Sequence, residues 1–148
     1  MDVSKFTRDE SILAGLALLL VIDLLFLPWF EITIAFGTFK ESATSTATGS
    51  PDGWLGVLAV LTALALMAYM ALDRLAAGVE VPTIGGNPAT TRLVLAAAAA
   101  GFVGLKFLFH IHFDLFGIGF WGAVVLSAAL VAVAARARDA EPALSTLA

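Results

Sequence analysis

Residues 53–72 read GWLGVLAVLTALALMAYMAL, a run of 20 residues without a charged side chain. A run of this length can cross a hydrocarbon core of about 30 Å as one helix. Inside a bilayer every backbone N–H and C=O group needs a partner, and a helix supplies those partners within the segment itself. The stretch therefore predicts a transmembrane helix.

Three further apolar runs of similar length accompany this one. They extend from Ser11 to about Phe30, from Arg92 to about His112, and from about Phe116 to Ala135. The 148 residues are 60% hydrophobic and 14% charged, whereas soluble domains are about half apolar and about a quarter charged. We therefore predict an all-α membrane fold, a bundle of four transmembrane helices in one domain over residues 1–138, with a polar, disordered C-terminal tail over 139–148.

The positions of lysine and arginine predict the orientation of the chain. Six of these residues lie near the two ends of the chain and around the second loop, and one lies in the first loop: Lys5, Arg8, Arg74, Arg92, Arg136 and Arg138 against Lys40. Cytoplasmic loops carry an excess of positive charge. The pattern predicts a multi-pass protein of the plasma membrane with both termini in the cytoplasm.

The first loop, from about Glu31 to Asp52, predicts a short β-hairpin outside the cytoplasm. Its apolar residues Ile32, Ile34 and Phe36 alternate with Thr33 and Ala35. This period of two is typical of a strand with one apolar face. A turn near Gly37-Thr38 leads into a threonine-rich segment from Glu41 to Thr48, which we interpret as the second strand. We expect the three apolar side chains to face the helix ends or the membrane surface.

Two local signals concern the third and fourth helices. Asn87 followed by Pro88 suits the N-cap and the first position of the third helix. Gly101 and Gly104 in the third run, and Gly119 and Gly122 in the fourth, are residues that permit helix backbones to approach closely. We expect these helices to form a tight antiparallel hairpin.

The tryptophans fall at the predicted outer ends of the runs. Trp29, Trp54 and Trp121 occupy these positions, where an amphipathic ring can sit among lipid headgroups. We interpret them as interfacial anchors. The alternative is a lateral docking surface for another membrane protein.

Two charged residues lie inside predicted spans. Asp23 is about twelve residues into the first run, and Lys106 is about fourteen residues into the third. A charge at mid-bilayer costs roughly 2.5 to 3.5 kcal/mol on insertion scales, so such residues face protein and find partners. We predict that Asp23 and Lys106 form an intramembrane ion pair. It either specifies which helices touch or forms part of a proton or ion relay.

A polar cluster is predicted beyond this pair. Lys106, His110 and Asp114 are spaced to share one helical face. If the first helix continues past Pro28, which removes one helical hydrogen bond, Glu31 comes level with His110 or Asp114. The sequence then predicts an acid–base ladder at the outer end.

His110 and His112 suggest a metal site as a weaker alternative. Residues two apart point to nearly opposite sides of a helix, so both can bind one ion only where the helix unwinds. Asp114 and Glu31 would complete such a site. Asp114 also suits the N-cap of the fourth helix. Our main prediction includes neither a metal nor a cofactor.

Several function classes lack support in the sequence. The chain has no cysteine, which excludes disulfides and cysteine nucleophiles, and its net charge of -4 offers no basic patch for nucleic acid. The G-x-S-x-G nucleophile motif is absent. We therefore predict a protein that is not an enzyme and does not bind nucleic acid.

Three segments resemble a known family. They are LFLPWF at Leu25–Phe30, SATSTATGSPDGW at Ser42–Trp54 and KFLFHIHF at Lys106–Phe113. In layout, nearly the whole chain is similar to the small four-helix integral membrane proteins of actinobacteria, which have an outer hairpin followed by a tryptophan. That family is of unknown function, so the resemblance implies topology and origin and supplies no catalytic residues.

The leading hypothesis is a non-enzymatic accessory or scaffold subunit, or a self-associating component of the cell envelope. Its expected partners are the lipid bilayer and other membrane proteins or further copies of itself. The first alternative is a small oligomeric transporter or channel with Asp23, Lys106 and His110 as its polar path. The second is a metal or redox membrane protein that uses His110 and His112.

Overall fold

The computed structural model describes residues 7–49, 52–75, 81–110 and 116–145, without the side chains of 34–36, 39–40, 75 and 141–145. Within these ranges the chain forms four α-helices, one two-stranded sheet and a short 3-10 helix. The elements are α1 (Arg8–Phe26), β1 (Phe30–Phe36), β2 (Phe39–Ser45), α2 (Gly53–Leu75), the 3-10 helix (Ile84–Gly86), α3 (Pro88–Phe109) and α4 (Ile118–Ser145).

The helices pack in a ring in chain order. α1 contacts α2 and α4, and α3 contacts the same two helices, so α1 and α3 lie diagonally across the bundle. The first turn of α1 meets the last turn of α2 and the first turn of α3, whereas the hairpin lies at the other end of α1. We call the end of the bundle that carries the hairpin the hairpin end, and the end where Glu10, Arg74 and Arg92 meet the opposite end.

The first helix begins and ends on clear local signals. Thr7 caps it through a capping box, in which Thr7 and Glu10 bond each other's backbone N–H. The helix ends at Phe26 because Pro28 has no N–H to donate and forces Leu27 into extended backbone. The predicted continuation to Phe30 is therefore wrong, and Glu31 lies on a strand instead.

The prediction of four long apolar spans is also corrected. Among the described residues, three helical segments are long and apolar enough to cross a membrane: Gly53–Arg74, Pro88–Phe109 and Ile118–Ala140. The first helix has 19 residues, and its charged residues include Asp9, Glu10 and Asp23. Its apolar part from Ser11 to Phe26 covers only about 24 Å at about 1.5 Å per residue.

The third and fourth helices match their predicted starts more closely than their ends. The Asn87 side chain accepts hydrogen bonds from the N–H groups of Ala89 and Thr90, and Pro88 opens α3 as predicted. The fourth helix continues to Ser145, so most of the predicted tail is helical. Ala137 and Ala140 favour a helix over residues 136–140, and the helix then continues through Pro142, which lacks the N–H for one helical hydrogen bond.

The predicted β-hairpin is confirmed. The strands pair antiparallel from Phe30 with Ser45 to Phe36 with Phe39, and the two-residue turn is Gly37-Thr38. Gly37 has φ +60°, which glycine adopts without steric cost. The second strand begins at Phe39 rather than Glu41. Ile32 is 45% exposed, so it does not pack on the helix ends; the side chains of Ile34 and Phe36 lie outside the described set.

The segment between α1 and β1 is held from two sides. The Trp29 N–H donates to the Ser45 carbonyl over 2.8 Å, and the Gly117 N–H donates to the Trp29 carbonyl over 2.9 Å. The Gly119 N–H donates to the Pro28 carbonyl over 3.0 Å. These bonds fix the short turn after α1 between β2 and the start of α4.

The bundle combines buried charges with exposed apolar side chains. Among the described residues four charged side chains are buried, namely those of Glu10, Asp23, Arg92 and Lys106. Large apolar side chains are exposed on every helix, including Leu18, Leu19, Phe26, Leu61, Leu64, Leu72, Leu105, Leu108, Phe109, Ile118 and Val125. Soluble proteins bury most of their large apolar residues and expose most of their charges.

Candidate functional site

Polar side chains collect at both ends of the bundle. At the opposite end, Glu10, Asp73, Arg74 and Arg92 form what we call the charge cluster. At the hairpin end, Lys106 is surrounded by backbone carbonyls, which we call the lysine cradle. The two groups differ in how their charges are neutralised.

The charge cluster joins three helices through one carboxylate. Glu10 Oε1 on α1 lies 2.6 Å from Arg74 Nη2 on α2 and 2.6 Å from Arg92 Nη1 on α3. Arg92 Nη2 also donates to Asp73 Oδ2 over 2.5 Å. The two guanidinium groups therefore tie α1, α2 and α3 together.

Burial makes this cluster energetically important. Glu10 is 3% exposed and Arg92 is 5% exposed. Burial alone would raise the pKa of Glu10, but hydrogen bonds from Arg74 and the Thr7 N–H, with the charges of Arg92 and Arg74, outweigh it and hold the pKa below its ordinary value. The carboxylate form is thus the one that the fold stabilises.

Sequence reasoning missed this cluster. The sequence argument used Arg74 and Arg92 only to predict the orientation of the chain, and it did not use Glu10. A usable signal was present, because Glu10 begins an apolar run and both arginines border apolar runs at the same predicted depth. The pairing itself joins residues 64 positions apart and follows from the packing of the helices.

The lysine cradle includes three carbonyl oxygens of the described residues. Lys106 Nζ donates to the carbonyls of Ala47, Gly49 and Asp52, the last two over 3.4 Å each. The ammonium also lies 5.7 Å from the ring centroids of Trp29 and of Phe30. Carbonyl dipoles and aromatic faces both present negative potential to a cation.

Two glycines on α2 let the cradle backbone come close. A Cβ atom on Gly56 would overlap the Ala47 carbonyl and lie 2.9 Å from the Thr48 nitrogen. A Cβ on Gly53 would overlap the Thr48 carbonyl in the same way. The 46–49 segment therefore rests directly on the first turn of α2.

Asp23 has a different partner from the one predicted. Its Oδ2 accepts a hydrogen bond from Trp29 Nε1 over 3.4 Å, and its carboxylate occupies the space beside Gly122 on α4. The ion pairs within the described residues do not join Asp23 to Lys106. Trp29 lies between the two side chains, with its indole N–H facing Asp23 and its ring near Lys106.

Of the predicted outer polar cluster the structure describes Glu31 and His110, and it does not bring these two together. His110 Nε2 lies 3.5 Å from Asp52 Oδ2, and His110 Nδ1 lies 3.4 Å from the Lys106 carbonyl. Glu31 is exposed on β1. His112 and Asp114 lie outside the described residues. Within the described part of the chain, no three His, Asp or Glu side chains are grouped to hold a metal ion.

The three tryptophans do not share one environment. Trp54 and Trp121 are 56% and 52% exposed, and their interfacial placement stays a prediction. Trp29 is 1% exposed, and its ring packs edge-on against Phe120 with 5.6 Å between centroids. The prediction that Trp29 is an exposed anchor is wrong, because the turn at Pro28 directs it into the bundle.

The core between the two polar groups is apolar in the described residues. Its buried side chains include Leu13, Ala17, Leu20, Ala63, Leu66, Ala96, Ala99 and Leu130. The buried hydroxyl of Ser127 on α4 donates to the carbonyl of Val124 on its own helix. The charge cluster and the lysine cradle are thus separated by packed hydrocarbon.

A groove runs along the outside of the bundle between α3 and α4. It has a volume of about 390 Å³ and is lined by Ala100, Gly104, Phe107, Trp121, Val124 and Ala128, among others. Gly101 and Gly104 have open space where a Cβ would stand, so they do not mediate close packing within the described chain, whereas Gly119 and Gly122 do. The expectation for the two α3 glycines is therefore corrected.

Comparisons with protein-family models, with curated proteins and with solved structures found no match to this chain. The resemblance to small actinobacterial membrane proteins accordingly stays a prediction. The functional argument rests on the geometry above.

Proposed function

We propose that this chain is a non-enzymatic integral membrane protein that acts as an accessory or scaffold component, or associates with itself, in the cell envelope. The bundle lies in the bilayer, with the hairpin end outside and the opposite end at the cytoplasmic surface. The observation that carries the proposal is the exposure of large apolar side chains on all four helices, while the buried charged side chains of the described residues are bonded inside the protein. An exposed apolar surface of this extent is stable in lipid and aggregates in water.

The first helix is proposed to cross the membrane with its neighbours. Glu10 contacts the last turn of α2 at one end, and Trp29, just after the helix, lies near the last turn of α3 at the other. The outward face of α1 carries Leu18, Leu19 and Ile22, each exposed. A short apolar helix is accommodated by local thinning of the bilayer at modest cost.

The internal bonding favours a scaffold over a transporter. A transport path needs polar groups that exchange partners along its length. Here the charge cluster and the lysine cradle are each bonded within the protein, and an apolar core separates them. The open α3–α4 groove instead offers a surface for lateral contact within the membrane.

The topology is tested with single cysteines, because the native chain contains none. Ser42→Cys on the exposed part of β2 and Thr83→Cys in the exposed loop before α3 are the probes. In intact cells we expect an impermeant maleimide to label Ser42→Cys and to label Thr83→Cys only after permeabilisation. Labelling of Thr83→Cys alone in intact cells would reverse the orientation, and recovery of the protein in the soluble fraction would refute membrane insertion.

The scaffold role is tested with the purified protein in vesicles and in mild detergent. We expect proton and potassium flux to equal that of empty vesicles, and the protein to elute as a defined self-assembly or with a stoichiometric partner from its own membranes. Flux well above that of empty vesicles, abolished in Lys106→Met, would favour the transporter alternative instead. A strictly monomeric protein without a partner would contradict the scaffold role.

A further inference from the structure

The lysine cradle has the composition of a cation-recognition site. Three carbonyl oxygens and two aromatic rings surround one ammonium group, and the Lys106 side chain is only 1% exposed. Carbonyl oxygens of this kind replace the hydration shell of a bound cation. An aromatic face within about 6 Å adds further attraction.

The cradle backbone is also held by bonds that do not involve Lys106. The Gly49 N–H donates to the Thr46 carbonyl over 3.0 Å, and the Leu55 N–H donates to the Asp52 carbonyl over 3.1 Å. Ala47 is fully buried, and Asp52 adopts a positive φ of 48°. A non-glycine residue in this region is uncommon and persists where its surroundings impose it.

The lysine cradle suits one kind of cation. A primary ammonium has N–H donors and no acceptor, and its acceptors in the cradle include the carbonyls of Ala47, Gly49 and Asp52. A quaternary ammonium has no N–H to donate. The planar, larger guanidinium group distributes five donors in a fixed fork.

We propose that the carbonyls of Ala47, Gly49 and Asp52 form a binding site for primary ammonium groups, which Lys106 fills as a tethered ligand. Shortening Lys106 opens the site to a free alkylammonium ion. In the native protein the lysine thereby fastens the segment after the hairpin to the last turn of α3. This inference goes beyond the scaffold role and is independent of it.

Chemical rescue of Lys106→Ala by propylammonium tests the proposal. This ion replaces the three methylenes and the ammonium that the substitution removes. In detergent we expect saturating propylammonium to raise the Tm of Lys106→Ala by about 3 °C or more, since a ligand that binds only the folded state stabilises it. Propanol at equal concentration has a similar apolar chain without the charge, and it controls for burial of that chain. Tetramethylammonium carries the charge without an N–H donor, and it controls for the charge alone.

Lys106→Met is the matched control variant. Its side chain fills the space that propylammonium needs, so we expect no rise in its Tm beyond that of the wild type. Equal stabilisation of the Ala and Met variants, or equal stabilisation by tetramethylammonium, would overturn the proposed site. Absence of stabilisation in a folded Lys106→Ala protein would overturn it as well.

A measurement on the wild type decides the matter if Lys106→Ala does not fold. Reductive methylation is followed by mass spectrometry, with Lys5 and Lys40 as internal references, since these are the other lysines of the chain. We expect Lys106 to react at least about tenfold more slowly in the wild type than in Gly56→Ala, where the displaced Ala47 carbonyl opens the cradle. Equal reactivity of Lys106 in the two proteins would overturn the proposal.

Discussion

Glu10→Gln is expected to lower the free energy of unfolding by about 3 to 5 kcal/mol, the usual cost of breaking a buried ion pair from one side. The substitution preserves the size of the side chain and removes the charge that both Arg74 and Arg92 face at 2.6 Å. Arg92 is affected most, because it is 5% exposed and its Nε atom is already buried with no hydrogen-bond partner among the described residues. Chemical denaturation in detergent measures the loss.

The neighbouring carboxylate provides the control. Asp9 lies on the same turn of α1 and faces Arg136 at 3.7 Å, but the Arg136 side chain is largely exposed and that of Asp9 is only half-buried. Exposed pairs contribute about 0 to 1 kcal/mol, so Asp9→Asn should leave stability nearly unchanged. Equal losses for the two variants would mean that the charge cluster does not stabilise the bundle.

The same cluster also determines an acid response. The folded-state pKa of Glu10 lies below its ordinary value of 4.5, so its stabilisation is complete above that pH and is lost as the pH falls through the lower folded-state pKa. The wild type should therefore lose stability on acidification below about pH 4.5 more steeply than Glu10→Gln. Parallel curves for the two proteins would show that Glu10 is not the group responsible.

Gly56→Ala is expected to lower the free energy of unfolding by about 3 kcal/mol, the upper part of the range for overpacking a core. The new methyl group would meet backbone atoms of Ala47 and Thr48, which cannot rotate away as a side chain can. Relief of the overlap displaces the Ala47 carbonyl, and Lys106 then loses one of its acceptors. Thermal and chemical unfolding of the variant measure both effects together.

Gly101→Ala is the matched control for this substitution. Gly101 is an exposed residue of α3, and no atom lies within 4 Å of the position that its Cβ would take. Alanine is favoured over glycine in a helix by about 0.5 to 1 kcal/mol, so this variant should be slightly more stable than the wild type. A Gly56→Ala protein as stable as Gly101→Ala would refute the close packing of the cradle on α2.

Much of the fold could be read from local pattern. The apolar run from Gly53 to Leu72, the Asn87-Pro88 helix start and the alternation before Gly37 each predict an element that the structure contains. These signals succeed because helix and strand formation depend on the period of apolar residues and on capping groups within a few positions of each other. The exact extent of α1 and α4 was missed. The first helix ends just before Pro28, whereas the fourth continues through Pro142 to Ser145, so a proline alone does not show in the sequence where a helix ends.

Individual residues of the candidate site were predicted, but their partners were not. Sequence reasoning selected Asp23 and Lys106 because a charge in an apolar run needs a partner, and both side chains are indeed buried. It then paired them by equal depth, but equal depth does not show what lies between two side chains. In the structure Trp29 lies between Asp23 and Lys106, whereas Glu10 and Arg92 of the same two helices meet directly at the opposite end.

The sequence by itself determined that apolar helices and a hairpin would form and that buried charges would need partners, because both follow from composition and period along the chain. Only the tertiary structure decided which partners those charges found. Lys106 meets carbonyls that lie 54 to 59 residues earlier in the chain, and a backbone carbonyl carries no mark in the sequence that distinguishes it from any other. Glu10 meets Arg74 and Arg92 because the helix order brings three chain-distant turns to one end of the bundle.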